Sequence, residues 1–177
     1  MPTYLTDPKL CFLNHGSFGA TPQEILDIQT DLRRELERSP IDFLHRSIAE
    51  RVHGARTAVA QFLNADIDGT VFTHNATTGV NAVISSFPFR DGDEILTTNH
   101  RYDAVRNTLD YTAKRANARV TEANIPFPLD DAQEIVDAIE ASITAKTRLL
   151  VIDQITSPTA LIFPMKPIVD LAHSRGI

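Results

Sequence analysis

From residue 70 onward the chain alternates short apolar runs with longer stretches of helical periodicity, and this alternation limits the possible folds most strongly. Such alternation is typical of βαβ units, in which helices cover both faces of a parallel sheet. The sequence therefore predicts an α/β fold with a mostly parallel sheet and flanking helices. The predicted strands are 70–74, 94–98, 119–123 and 148–153, and the predicted helices are 77–87, 103–116, 131–142 and 166–175.

Two helices are predicted before the sheet begins. The first spans 21–37 and starts at Thr21–Glu24, which combines a capping box with proline at the first helical position. The second spans 47–63 and repeats apolar residues at steps of three and four. We expect a single domain, in which 1–66 forms an N-terminal loop and helices and 67–177 forms the first part of the sheet.

Composition and charge narrow the classes of function. The formal net charge is −6 and no Lys/Arg cluster is interleaved with aromatic residues, so nucleic acid is not an expected partner. No N-terminal segment resembles a secretion signal and no window approaches about 18 consecutive apolar residues, so we expect a cytoplasmic protein without membrane contact. The single cysteine, Cys11, lies in an apolar run and is expected to be buried, and no Cys/His spacing predicts a metal site.

The predicted strand 70–74 leads into its helix through a turn of small polar residues, Asn75-Ala76-Thr77-Thr78. The first amides of a helix lack internal partners and lie at the positive end of its dipole, so an anion can bind there. Ala76, Thr77 and Thr78 would let a phosphate approach the backbone closely. The alternative is that Thr77 or Thr78 only caps the helix, as hydroxyl residues commonly do.

Two further predicted strand ends are rich in polar residues. The segment Thr97–Asp103 follows one strand, and Gln154–Thr159 follows another. Ligands of parallel sheets bind beyond the carboxyl ends of the strands. We therefore expect an anion cup, a planar side chain and a group of hydrogen-bonding residues to meet at one edge. Such a site suits a flat, phosphorylated cofactor.

Together with Phe12–Gly19, these loops resemble the class V aminotransferase family of fold type I pyridoxal-phosphate enzymes, and within it the isopenicillin N epimerase-like branch. The resemblance covers almost the whole chain. It implies the incomplete large domain of the fold type I PLP-dependent transferase fold, preceded by N-terminal helices, with pyridoxal 5'-phosphate (PLP) as cofactor. It also implies epimerase, aminotransferase or carbon–sulfur lyase chemistry on an amino acid or small peptide, and a homodimer for the complete enzyme.

The resemblance also assigns residues to the cofactor. Ala76 and Thr77 would bind the phosphate through backbone amides and the threonine hydroxyl, with Thr78 beside them. His100 matches the residue that stacks on the pyridine ring, and Tyr102 is the alternative stacking group. Each has a structural alternative, since His100 could end a strand and bond to backbone, and Tyr102 could be an amphipathic residue at a helix start.

Five other residues are assigned in the same way. Ser157 lies where relatives place an asparagine near the 3-hydroxyl of the cofactor, and Gln154 lies one strand step before that loop. A structural turn at Ser157 is the alternative. Asn14, His15 and Ser17 resemble the N-terminal loop that lines the substrate side, and a glycine-rich connection is the alternative.

The resemblance further implies a Schiff-base lysine and an acid that keeps the pyridine nitrogen protonated, both after the helix 166–175. None of the four lysines has a matching position, and each is expected to be a solvated charge. We therefore expect a C-terminally truncated portion of the enzyme that does not turn over by itself. The alternative from another class is a non-catalytic α/β domain that binds an anion or a partner chain. The four lysines are Lys9, Lys114, Lys146 and Lys166.

Overall fold

The computed structural model describes residues 3–177, which fall into two compact units. The first unit ends at Phe72, and the second comprises Thr73–Ile177. The division into 1–66 and 67–177 within a single domain stays a prediction. The helical elements of the first unit are α1 (His15–Phe18), α2 (Gln23–Arg38), a π-helical segment (Asp42–Ser47) and α3 (Ile48–Leu63).

Helix α2 begins differently from the predicted capping box. Its N-cap is Pro22, with φ −56° and ψ 142°, and no side chain caps the helix, so the predicted cap by Thr21 is wrong. The backbone takes over this role, because Gln23 N–H donates to Thr3 O at 2.8 Å beside an isolated antiparallel bridge. A helix amide that already has a backbone acceptor gains little from a side-chain cap.

The N-terminal apolar run is more open than its composition predicts. Cys11 is exposed, so its expected burial is wrong. The neighbouring Leu10 and Leu13 are 59% and 84% exposed. Phe12 packs edge-on against the His15 ring, with 4.9 Å between ring centroids. Apolar composition alone does not bury a segment, because burial needs a second apolar surface against which to pack.

The second unit contains a three-stranded parallel sheet in the order β2-β1-β3. The central strand, β1, is buried at every residue, as expected of a strand covered on both faces. This architecture confirms the predicted α/β class. The strands are β1 (Glu94–Thr98), β2 (Arg119–Ala123) and β3 (Thr147–Leu150), and the helices are α4 (Ala76–Ser86), α5 (Asp103–Ala116), α6 (Gln133–Ser142) and α7 (Met165–Ser174).

Each face of this sheet has its own apolar cluster. On one face Leu96 packs with Ile139 of α6 and Ile168 of α7. On the other face Ile95 packs with Leu109 of α5, together with residues of α4. Consecutive residues of β1 therefore point into opposite clusters, as the alternation of side chains along a strand requires. The packing holds the carboxyl ends of the three strands at one edge.

The first predicted strand is wrong. Residues 70–74 do not form a strand, and Val71 and Phe72 are 73% and 54% exposed. A strand needs a hydrogen-bonded neighbour, and no strand within residues 3–177 pairs with this segment. Thr70–Thr73 has the β-branched and aromatic composition that favours extended backbone, but composition cannot replace a pairing partner.

Candidate active site

Hydrogen bonds join the loops that follow β1, β2 and β3 at the carboxyl ends of the strands. His100, after β1, contacts Ile125 after β2 and Thr159 after β3. A second bond links two of these loops, because Tyr102 N–H donates to Asp153 Oδ2 at 3.1 Å. Parallel strands bring their carboxyl ends together, so this edge is where a ligand of such a sheet binds.

The amino end of α4 is capped by Asn75. Its Oδ1 accepts hydrogen bonds from Thr78 N–H at 2.9 Å and from the Thr78 hydroxyl at 3.1 Å. The alternative in which Thr77 or Thr78 caps the helix is therefore wrong. The N–H groups of Ala76 and Thr77 make no hydrogen bond within residues 3–177. Two donors at the positive end of the helix dipole thus stay open to an anion.

A close approach of the backbone supports this turn. A Cβ on Gly79 would lie 3.3 Å from Thr73 Oγ1, which is tighter than ordinary contact. Thr73 Oγ1 itself donates to Asn75 O at 3.1 Å. The small residue therefore lets the chain before α4 pack against the first turn of the helix and hold the capping residue.

His100 is a buried side chain whose two ring nitrogens both make hydrogen bonds. It is 6% exposed, with Nε2 at 3.1 Å from Ile125 O and Nδ1 at 2.8 Å from Thr159 Oγ1. A carbonyl oxygen only accepts, so Nε2 carries a proton. The predicted structural alternative, in which His100 hydrogen-bonds to backbone after a strand, therefore describes one of its two contacts.

Tyr102 differs from His100 in exposure, although only Arg101 separates them. Tyr102 is 47% exposed and is the N-cap of α5. Its backbone N–H is held by Asp153, whereas its ring stays accessible. Burial raises the pKa of the Asp153 carboxyl, and the Tyr102 N–H opposes part of this effect because it stabilises the charged form.

The loop after β3 forms a narrow hairpin. Phe163 N–H donates to Gln154 O at 2.9 Å, and Ala160 N–H donates to Thr156 O at 2.8 Å. Ala160 has a φ of 54°, which closes the tip in the left-handed region. Ser157 is exposed within this turn, and Gln154 is exposed beside the end of β3. Contact of either residue with a cofactor stays a prediction.

The residues assigned to the substrate side lie in the first unit. Asn14 is the N-cap of α1, and His15 and Ser17 belong to this short helix, so the segment is a helical turn. His15 Nδ1 accepts a hydrogen bond from Ala20 N–H at 3.4 Å. Contact of these residues with a substrate stays a prediction.

Sequence reasoning did not single out several polar residues of the carboxyl edge. Asn99 Oδ1 accepts from Ile125 N–H at 2.8 Å and so ties two loops together. Thr156 and Thr159 make the bonds described above. Their only signal in the sequence is a position shortly after a strand, because the pairing between distant loops depends on the packed sheet.

An apolar cavity of about 570 Å³ lies between α4 and α7 along β3. Its lining residues include Val80, Leu149 and Ile168. The cavity therefore offers apolar contact, whereas a phosphate needs hydrogen-bond donors.

Within residues 3–177, no cluster of three or more His, Cys, Asp or Glu side chains could hold a metal ion. No helix in that same range has the length and apolar character to cross a bilayer.

Solved structures identify the fold. The cystine C–S lyase C-DES, in complex with its reaction product cysteine persulfide, superposes with a TM-score of 0.84 at 22% identity over 92% of this chain and 43% of that chain. A C-DES mutant with glycine covalently linked to the PLP cofactor gives a TM-score of 0.82 with the same identity and coverage. The chain therefore has part of the fold type I PLP-dependent fold, as predicted.

The chain belongs to the class-V aminotransferase family, whose family model matches residues 20–177. It is 28% identical to a probable chloroplastic L-cysteine desulfhydrase of Arabidopsis thaliana, over 97% of this chain and 39% of that protein. It is 32% identical to an isopenicillin N epimerase of Amycolatopsis lactamdurans, over 97% of this chain and 44% of that protein. The predicted family is confirmed, and the chain spans between 39% and 44% of the length of these relatives.

Proposed function

We propose that the chain is the N-terminal portion of a PLP-dependent class-V aminotransferase-like enzyme that acts on an amino acid or small peptide. The observation that carries the proposal is the carboxyl edge of the sheet, where three loops join within a chain that matches the family over residues 20–177. The proposed chemistry is epimerisation, transamination or carbon–sulfur cleavage. A homodimer is proposed for the complete enzyme.

The amino end of α4 fits a phosphate. Ala76 and Thr77 have open backbone N–H groups, and the Thr77 hydroxyl adds a third donor. The helix dipole favours a negative charge at this end. Because Asn75 occupies both donors of Thr78, we assign Thr78 to supporting the turn and assign direct phosphate contact to Ala76 and Thr77.

For the cofactor ring we propose Tyr102 as the stacking residue in preference to His100. Stacking requires an accessible ring face. Tyr102 is 47% exposed, whereas His100 is 6% exposed and both of its nitrogens are bound inside the protein. Gln154 and Ser157 are exposed at the end of β3, so they are available to polar groups at the ring edge.

The residues of this chain would bind and orient the cofactor. Bound PLP withdraws electrons from the carbon next to the substrate amine, which serves all three proposed reactions. The α4 amides would hold its phosphate, and the Tyr102 ring would exclude water from one face of the pyridine. The Asp153 carboxylate would fix the Tyr102 backbone during this contact.

We also propose that these 177 residues do not turn over by themselves. In the second unit, Lys114 and Lys166 are exposed on α5 and α7. Lys146 is exposed just before β3, at the amino ends of the strands and thus opposite to the candidate site. Lys166 Nζ pairs with Asp170 Oδ2 at 2.6 Å. We therefore assign none of these amines to a Schiff base with a cofactor held at the carboxyl edge.

Titration of the purified chain with PLP tests this proposal. We expect saturable binding that Thr77→Val and Tyr102→Ala each weaken, while Thr108→Val, a buried threonine of α5, serves as the unaffected control. Equal affinity in all variants would contradict the site.

A Schiff-base absorbance band that borohydride removes would contradict the proposed lack of turnover. Inorganic phosphate binding as tightly as PLP, without dependence on Tyr102, would favour the anion-binding alternative.

A further inference from the structure

The loops after β1, β2 and β3 are held together by a chain of hydrogen bonds made by largely buried side chains. It runs from Ile125 O to the His100 ring at 3.1 Å, then to Thr159 Oγ1 at 2.8 Å and to Thr156 Oγ1 at 2.8 Å. We call these four residues the His100 clamp. His100 is 6% exposed and Thr156 is 2% exposed, and Thr159 between them is partly buried.

The carbonyl at Ile125 and a neutral His100 imidazole together determine the direction of every bond in the clamp. Ile125 O can only accept, so His100 Nε2 carries a proton. Leu161 N–H can only donate, and its acceptor at 2.9 Å is Thr156 Oγ1. With a neutral imidazole, Nδ1 accepts from the Thr159 hydroxyl, which accepts from Thr156 in turn. Each hydroxyl then donates once and accepts once, so all polar side-chain atoms of the clamp are paired.

We propose that Thr159 and Thr156 are positioning residues that hold His100 as the Nε2–H tautomer, so that the loop after β1 presents the Tyr102 ring to its ligand. His100 is fixed through both nitrogens, and Tyr102 N–H is fixed by Asp153 at 3.1 Å. The direction of the Tyr102 Cα–Cβ bond therefore follows from the main chain between these anchors. The identity of the ligand rests on the proposed function, whereas the clamp is a property of the free chain.

Substitutions at Thr159 separate the hydroxyl from the shape of the side chain. Thr159→Val removes the donor to Nδ1 and keeps the branched shape, whereas Thr159→Ser keeps the donor. Thr97→Val is a matched control because Thr97 is 0% exposed and its Oγ1 has no partner within residues 3–177. It makes the same chemical change in a buried threonine without breaking a hydrogen bond.

Magnetic resonance of the free chain tests the clamp directly. The chain has three tyrosines, so 3-fluorotyrosine labelling gives few fluorine signals, and Tyr102→Phe assigns one of them. At pH 8 we expect ¹⁵N-labelled His100 to carry its proton on Nε2. Thr159→Val should shift the Nδ1 resonance and the Tyr102 fluorine signal but not that of Tyr111, Thr159→Ser should restore both, and Thr97→Val should leave both unchanged.

In the free chain, either of two results would overturn the clamp as a positioning device. One is a folded Thr159→Val variant whose Tyr102 signal matches the wild type. The other needs no variant and remains decisive if Thr159→Val does not fold: a wild-type His100 with its proton on Nδ1.

Addition of PLP separates this inference from the proposed function. We expect Thr159→Val to weaken PLP binding roughly fivefold, which corresponds to the loss of one hydrogen bond of about 1 kcal/mol. Wild-type affinity in folded Thr159→Val would overturn the clamp and keep the cofactor site. A wild-type Tyr102 fluorine signal that does not change on addition of PLP would contradict the cofactor site. The spectra of the free chain would still test the clamp in that case.

Discussion

The loop that follows β1 differs from the turn that precedes α4 in what its polar atoms contact. In the loop, both nitrogens of His100 bind other parts of the protein. In the turn, Asn75 binds Thr78, and the amides of Ala76 and Thr77 stay open. The two polar segments therefore differ in what their polar atoms do: those of the loop join parts of the protein, and those of the turn include two donors without a partner within residues 3–177.

The largest expected effect distinguishes these two roles by stability. His100→Ala should lower the free energy of unfolding by about 2–4 kcal/mol, because it removes a buried ring and leaves Ile125 O and Thr159 with fewer partners. Thr77→Val should change it by less than about 0.5 kcal/mol. Chemical denaturation at pH 8 measures both. Similar losses for the two variants would show that the turn is as structural as the loop.

A buried carboxylate at the opposite end of β1 extends the comparison. Glu94 is 2% exposed and accepts from the Thr144 hydroxyl at 2.6 Å and from Arg119 at 2.5 Å. These two bonds lower the pKa of the Glu94 carboxyl, the Thr144 bond most strongly. Glu94→Gln should cost about 1–3 kcal/mol at pH 7, since it weakens charge-assisted bonds in a buried place.

The pH dependence of this cost follows from the sign of the shift. A folded-state pKa below the unfolded value gives stability that is present above the unfolded pKa and is lost as pH falls through the folded one. The difference between wild type and Glu94→Gln should therefore shrink below about pH 4. Glu140→Gln is the control, because the Glu140–Arg175 pair is half exposed and should be worth less than about 1 kcal/mol. A constant difference between pH 3 and pH 7 would contradict the assignment.

The capping residue of α4 tests how much the turn contributes to folding. Asn75→Ala removes the acceptor of Thr78 N–H and should cost about 1 kcal/mol, the usual value for an N-cap. Asn75→Asp provides an equivalent acceptor and should restore stability. Thermal or chemical unfolding of the three proteins is the measurement. Wild-type stability of Asn75→Ala would mean that the cap is not needed.

The smallest expected effect concerns Asp153, which holds Tyr102. Burial raises the pKa of its carboxyl, so ionisation lowers stability as pH rises from the unfolded pKa through the folded one. Asp153→Asn keeps an acceptor for Tyr102 N–H and removes this ionisation. The variant should gain stability relative to wild type between pH 4 and pH 7 in denaturation measurements. A variant that loses relative stability over this range would refute the account of the site.

Local patterns predicted the elements whose formation depends on local burial. Helices α5 and α7 and strands β1 and β2 lie close to their predicted bounds because their apolar spacing matches the faces they bury. The segment 70–74 has strand composition, but strand formation also depends on a neighbouring strand. The predicted burial of Cys11 was wrong for a similar reason, because burial depends on a second apolar surface and not on the neighbouring residues in sequence.

The candidate site could be predicted as a set of loops but not as a set of contacts. The parallel topology places His100, Tyr102 and Ser157 after strands, where ligands of such sheets bind. Ala76 follows a segment that is not a strand, so its place at this edge is part of the proposal. The choice between His100 and Tyr102 needs burial and hydrogen-bond partners. His100 and Thr159 are 59 residues apart in sequence, so their contact depends on the packed register of the sheet.

The amide spectrum of the ¹⁵N-labelled chain on addition of PLP tests the central claim most directly. The account predicts the largest shifts at Ala76 and Thr77, with further shifts beside Tyr102 and small ones at His100. The contradictory result is an unchanged spectrum, or shifts concentrated at Val80 and Leu149 along the apolar cavity between α4 and α7.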